Sequence, residues 1–463
     1  MTKENKKKLG LIACIATGIG AIIGSGIFGS LPAEINEIDG AVVLAFILAT
    51  IYTLAKMFPA VYSSSIIPAS GSFFLMPTKL IHPVVGLYMA IQNLLQPVLI
   101  SVFAVLFADY FCSLFPGLAG RERMVAVIIL LVYAVMAYMG NYLFASINTI
   151  IVIVMLVAVF LYIVVGLPHM NAGQITVSEA FGNGIKFSSI GAAVSVFASC
   201  LSGGSSVSQI ADDVRNPRRD IPLALILAPV IVAVIYILMA VVTLGCMSGP
   251  TVTTLSEVAS EFLPHGLVVF FIVGGPICGV LTSMVPVIML TCAQIQAAAE
   301  CEVFPKFLAK KNKHGVSTWI LVYVMVFAIV CAATGSSFGV LMTVFSAVNA
   351  LSDIPTCIVP FFLKKKYPHA CNYAGIKFNF IFVSIMAVFA AGVAVWLAVA
   401  AFKSLGASVY MLIFGFMACA VVYFIIRIFY LKKNGRNLFA ELKVPYDEWE
   451  ARETECKALD AAE

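Results

Sequence analysis

The chain has 463 residues, of which 62% are hydrophobic and 11% charged, where a soluble domain carries about 25% charge. A mean hydropathy of +1.04 excludes a soluble domain, and a net charge of +5 spread over loops offers no surface for nucleic acid. What remains is an integral membrane protein whose first partner is the lipid bilayer. The twelve cysteines are scattered, with no C-x-x-C pair and no Cys/His cluster, and the five histidines all fall in or beside loops. No metal site, disulfide framework or cofactor is expected. Lys3, Lys6, Lys7 and Lys8 precede a glycine-rich apolar stretch without a clear cleavage site, so no secretory signal is expected.

A span needs about 20 apolar residues. That length predicts about twelve, over approximately 10–32, 41–62, 84–111, 124–142, 147–166, 190–211, 223–245, 267–298, 317–334, 338–362, 379–402 and 408–430. Only Gly335-Ser336-Ser337 divides the ninth from the tenth. Lys and Arg crowd one set of loops, around Lys6, Lys79, Arg218, Lys311, Lys365 and Lys432. The other set holds Arg121, Arg123, Lys186 and Lys403 among acids. Both termini are therefore expected in the cytoplasm, with the chain in the cell membrane.

The first span contains Thr17 to Ser30, TGIGAIIGSGIFGS, with glycine at 18, 20, 24, 26 and 29. Each glycine inside a helix costs about 1 kcal/mol relative to alanine. Two explanations stand level on the residues alone. Gly20 and Gly24 have the small-xxx-small spacing of a packing seam. Alternatively, Gly24-Ser25-Gly26 breaks the helix and exposes backbone N–H groups, tolerated at depth only where a cavity or protein covers them.

Lys56, near the inner end of the second span, is expected to snorkel to the surface. The third span carries Gln92, Asn93, Gln96 and Pro97, with Ser101 one turn on. These are either interhelical hydrogen bonds, worth about 0.6 kcal/mol each, or amides that select a substrate side chain. The sixth span holds a second glycine cluster, Ser202-Gly203-Gly204-Ser205-Ser206. Two interrupted spans five helices apart point to an inverted-repeat transporter. A half-helix that starts at a break offers N–H groups to a carboxylate, and one that ends there offers carbonyls to an ammonium. In the eighth span, Thr282 and Ser283 are candidate sodium ligands, though such hydroxyls more often bond their own helix.

Asp353 lies in the tenth span, ten residues before Lys364, hence about 15 Å deep. It shares a face with Asn349 and Ser352. A carboxylate at that depth costs about 3 kcal/mol or more unless paired, hydrated or protonated. Either Lys56 or a proton neutralises it and it ties helices together, or it faces a transport cavity as proton carrier or counter-charge. Residues 434–463 are polar, and a solvated tail with a frayed helix is expected over a plug at the inner mouth.

Several motifs together resemble the amino acid–polyamine–organocation permeases. Gly20–Phe28, GAIIGSGIF, resembles the family's first-helix motif. Pro68–Phe73, PASGSF, resembles its loop after helix two, and Ala211–Pro222, ADDVRNPRRDIP, the end of helix six. Ala297–Glu300 with Val303–Phe307 and Lys311–Gly315 resembles the end of helix eight and the following loop. The matches lie in order over roughly residues 10–320. The resemblance implies an all-α membrane protein of about 12 transmembrane helices. It implies a 5+5 inverted repeat with discontinuous helices 1 and 6, plus two extra helices. The corresponding segments are 1–166 for repeat one, 167–363 for repeat two, 364–433 for helices 11 and 12, and 434–463 for the tail. It further implies a substrate carboxylate on backbone N–H groups of Ser25, Gly26 and Ile27. The ammonium would lie on carbonyls of Ile22, Ser199 and Ser202, with Gly203, Gln96 and Ser101 nearby. Ser205 stands where exchangers of charged amino acids often have Glu, Ser199 where they have an aromatic gate, and 147–166 lacks the lysine some members use with protons.

These observations lead to an expectation of a secondary-active amino acid permease or exchanger that is not an enzyme, coupled to a proton, a sodium ion or neither. Carriage of an amine or betaine-like compound is the alternative within transport. A membrane-embedded enzyme would need a base or metal at depth, where no histidine is available. A channel would want charge rings or carbonyl filters.

Overall fold

Long apolar runs inside a bilayer must satisfy their own backbone, and helices do so within one segment. The computed structural model describes residues 10–24, 26–67, 72–139, 142–171, 186–204, 207, 214–444 and 446–461. Among these there is no strand, and an isolated bridge pairs Lys311 with Ser317.

The first apolar segment is two helices, α1 (Leu11–Ile22) and α2 (Gly26–Ile38). A 3-10 turn at Asp39–Ala41 leads directly into α3 (Val42–Ile66). Asp39 takes a left-handed φ of 46° to make that corner. The third segment is α4 (Pro83–Leu95) and α5 (Val98–Leu114), joined through Gln96-Pro97, where proline withholds an N–H from the ladder. Next come α6 (Glu122–Met139), α7 (Tyr142–Gly166) and α8 (Phe187–Leu201), then α9 (Pro217–Cys246), which starts with proline in its first position. An apolar helix from His265 passes through a π turn at Val273–Ile277, containing Pro276, into α10 (Cys278–Glu300). After it stand α11 (Thr318–Ala333), α12 (Phe338–Lys366), α13 (Phe380–Ser404) and α14 (Ala407–Lys433).

Ten helical stretches among the described residues are long and apolar enough to cross a membrane, and α1 and α11 are shorter apolar helices beside them. The division at Gly335 stands: its φ of +74° ends α11, and a Cβ there would collide with the Arg123 guanidinium. The bundle centre is aromatic and small-residue packing. Phe46 of α3 stacks on Phe197 of α8 at 3.7 Å between ring centres, and Tyr236 of α9 meets Phe46 edge-on. Outward faces are apolar and exposed, as at Val135, Ile150, Ile385 and Ile426, which suits contact with lipid.

The tail corrects the expectation of a frayed, solvated end. It folds as α15 (Leu438–Lys443) and α16 (Asp447–Asp460) and docks on the bundle. Trp449 and Cys456 of α16 are fully buried, and Tyr367 and Trp449 meet edge to face. Glu453 accepts the backbone N–H groups of His369 and Ala370 at 3.1 and 2.8 Å, capping the short helix Pro368–Asn372. The Tyr367 hydroxyl donates to Glu450, and His369 Nδ1 lies 2.5 Å from Asp460 Oδ2. Arg436 forms ion pairs with Glu302, just past α10, and with Glu441. A polar sequence hid this because the docking face has few apolar residues and rests on hydrogen bonds to distant backbone.

Candidate functional site

The break between α1 and α2 is held open by specific contacts. The Tyr236 hydroxyl donates 2.8 Å to the Ile22 carbonyl at the end of α1. Gly24 lies so close to Ser283 of α10 that a Cβ would collide with its hydroxyl. A Cβ on Gly26 would sit 3.0 Å from Cys200 Sγ of α8, and one on Gly203 would collide with the Ala21 carbonyl. The glycines therefore serve both purposes that the sequence left open. They break the helix and let three backbones converge on the break.

Around the second cluster, α8 ends at Leu201 and a 3-10 turn covers 202–204. The Ser202 N–H donates to the Ser199 carbonyl, and the Ser202 hydroxyl to the Ala198 carbonyl at 2.6 Å. The C-terminal end of α8 and the N-terminal end of α2 thus border one space. Gly26 and Ile27 are the first residues of α2, whose N–H groups have no partner within the helix. Ser25 and Ser205 lie outside the described residues.

A cavity of about 170 Å³ opens from this junction. Ile22, Gly24, Gly26, Ser199, Ser202 and Gly203 line one part of it. Asn93, Gln96, Thr291, Gln294 and Asn349 contribute amide and hydroxyl groups to the rest, among apolar side chains such as Met89, Phe103 and Phe345. The lining continues to Phe73 and Thr356, toward the end of the bundle where Lys366 and the tail lie. Asn93 Nδ2 and Ser283 Oγ have no hydrogen-bond partner among the described residues. Such groups, buried and unpaired, favour an occupant that can bond to them.

Of the residues singled out by sequence, the structure brings Ile22, Gly26, Gln96, Ser199, Ser202, Gly203, Ser283 and Asp353 to this cavity. Ile27 is buried beside it at the start of α2. Ser101 is placed elsewhere, its hydroxyl donating 2.9 Å to the Ala328 carbonyl and tying α5 to α11. The Thr282 hydroxyl donates to Gly279 within its own helix, the bond expected of it, at 3.0 Å.

Lys56 corrects the expectation of snorkelling. Its ammonium points inward and lies 2.7 Å from Asp353 Oδ2, with 5% and 15% of the two side chains exposed. The Tyr52 hydroxyl donates to the same oxygen at 2.8 Å. Tyr52 and Lys56 share a face of α3 one turn apart, and the ammonium lies 5.2 Å from the Tyr52 ring centre. Sequence reasoning missed Tyr52, Thr291 and Gln294. The i, i+4 spacing of Tyr52 and Lys56 on an otherwise apolar helix was the available signal for the first, and no local pattern marks the other two.

Apolar outer faces around a cavity that carries polar groups at interrupted helices define the class: a multi-pass membrane transporter. The chain belongs to the amino acid permease family, whose model matches residues 9–423. It is 26% identical to the methylthioribose transporter of Bacillus subtilis (strain 168) over 412 residues, 82% of this chain and 85% of that protein. To the branched-chain amino acid permease BcaP of the same organism it is 24% identical, over 52% of this chain and 56% of the relative. To its serine/threonine exchanger SteT it is 25% identical, over 56% and 60%.

Proposed function

We propose that this protein is a secondary-active carrier that moves a small α-amino acid across the cytoplasmic membrane by alternating access. The carrying observation is the meeting of the α2 N-terminus and the α8 C-terminus at one cavity. Free N–H groups at Gly26 and Ile27 suit a carboxylate, and the carbonyls closing α8 suit an ammonium a few ångströms away. Ile22, whose carbonyl already accepts Tyr236, keeps a second lone pair for the same ammonium. Membership of the family and the relatives' printed activities support this reading. The two interrupted segments also support a repeat of helices 1–5 and 6–10, and the loops rich in Lys and Arg support termini in the cytoplasm.

The test is flux into liposomes with and without an excess of each amino acid inside. Esterifying the substrate carboxylate should lower affinity at least about tenfold, because buried donors left unpaired cost about 1–3 kcal/mol each. An ester that competes as well as the free acid overturns the reading. Imposed proton and sodium gradients then separate symport from exchange. For orientation, cysteine reporters at Lys186 and Lys403 should label from outside only, and those at Lys311 and Lys365 from inside only.

A second reading is carriage of a neutral hydroxylated thioether sugar. Similarity to the methylthioribose transporter over most of both chains supports it, as does the run of amides and hydroxyls in the cavity. Competition by such a sugar against labelled amino acids decides between them.

A further inference from the structure

We infer that the Lys56–Asp353 pair is a charge filter that fixes the substrate class: molecules whose side group is neutral and hydrogen-bonding. This rests on the cavity being the substrate site. Asp353 stands one helical turn, about 6 Å along the axis, from Asn349, whose amide lies 3.5 Å from Ser199 Oγ at the second break. A substrate with its carboxylate and ammonium at the breaks would direct its side group at this pair.

The pair's geometry sets what it accepts. Lys56 and Tyr52 both donate to Oδ2, and Oδ1 takes part in no hydrogen bond among the described residues. A hydroxyl or amide can donate to Oδ1 without disturbing the ion pair, and the unpartnered Asn93 amide offers a donor in the same cavity. A cationic side group would have to compete with Lys56 for Asp353. An anionic one would have to compete with Asp353 for Lys56. In either case one of three charges is left buried without a partner, which low-dielectric surroundings penalise. Selectivity therefore comes from what the pair rejects as well as from what Oδ1 and Asn93 bind.

The two halves of the pair make opposite predictions. Purified protein is assayed by ligand-induced thermal shift and by competition for uptake, using serine, threonine and glutamine, then lysine and arginine, then aspartate and glutamate. Wild type should favour the neutral polar set at least about tenfold over both charged sets. Lys56→Met should gain affinity for lysine and arginine, and Asp353→Asn for aspartate and glutamate, each at least about tenfold relative to serine. The exchanged pair Lys56→Asp with Asp353→Lys should keep the neutral preference. Wild type that favours a charged set overturns the filter, and this arm needs no variant to fold. Folded single variants with unshifted charge preference overturn it as well. If no amino acid of any charge binds but a neutral thioether sugar does, the amino acid reading fails, and the filter stands if that sugar outcompetes its phosphate at least about tenfold and falls if it does not. Preference for the charged amino acids fails the filter and leaves the amino acid reading intact.

Discussion

Two sets of ion pairs, one in the cavity wall and one under the tail, use the same chemistry for different ends. Lys56 and Asp353 are almost wholly withdrawn from water, one per helix, on α3 and α12. Arg436 is about two-fifths exposed, and with Glu302, Lys306 and Glu441 it forms a network at the bundle's rim. In the interior, attraction and desolvation are both large, so removing one partner costs far more than the pair contributes. At the rim Glu302 is itself buried, but its partners Arg436 and Lys306 stand in water, which screens the attraction, and the pairs act as staples whose worth depends on their number. The lesson is that burial turns an ion pair from a fastening into a selector.

The sharpest way to break this contrast is Lys56→Met. It leaves Asp353 without its counter-ion and should destabilise the protein by about 3 kcal/mol, the low end for a buried pair because the cavity reaches Asp353. Thermal unfolding in detergent measures this, and Lys56→Met with Asp353→Asn should recover most of the loss. Equal losses in the single and double variants would mean that Lys56 serves only to fill space.

Next in size is the glycine junction that the cavity pair faces. Gly24→Ala forces a methyl group against Ser283 and should cost about 1–3 kcal/mol together with substrate affinity. Ser283→Gly in the same chain should restore stability. Failure of that rescue would place the strain elsewhere than at the contact between the break and α10.

The rim should respond more weakly. Glu302→Ala removes the carboxylate that Arg436 and Lys306 share. It should speed limited proteolysis of the tail several-fold while global unfolding stays nearly unchanged. A large fall in thermal stability would show the tail to be part of the bundle's core.

The smallest effect is on pH. The hydrogen bond from His369 holds the Asp460 carboxyl below its usual range. At Glu302 burial pushes the carboxyl up, but bonds from Arg436 and Lys306 outweigh it and the net direction is down. A lowered carboxyl contributes its full share above the ordinary carboxylate range and loses it as pH falls through the depressed value. The protection of α16 against hydrogen exchange, relative to the intrinsic rate at each pH, should therefore be level from neutral pH down to about 5 and fall only below about 4. Release of α16 already near pH 6 would mean that other groups hold it.

What the sequence determined by itself was whatever depends on composition and near neighbours. Apolar length dictated the spans, because the bilayer has a fixed thickness and backbone groups must pair within each helix. Gly24 and Gly26 marked the break, and Gly203 its counterpart, because glycine at depth needs a local reason. Asp353 stood out because a carboxylate there is costly. The tertiary structure alone decided how that cost is met. Lys56 lies 297 positions from Asp353, and its long side chain could as well have reached the surface; only the packing of α3 on α12 turned it inward. Distance along the chain likewise concealed the meeting of Gly24 with Ser283, the commitment of Ser101 to α11, and the seat of α16. Local pattern fixes which groups are expensive to bury, and long-range packing fixes which partner relieves them.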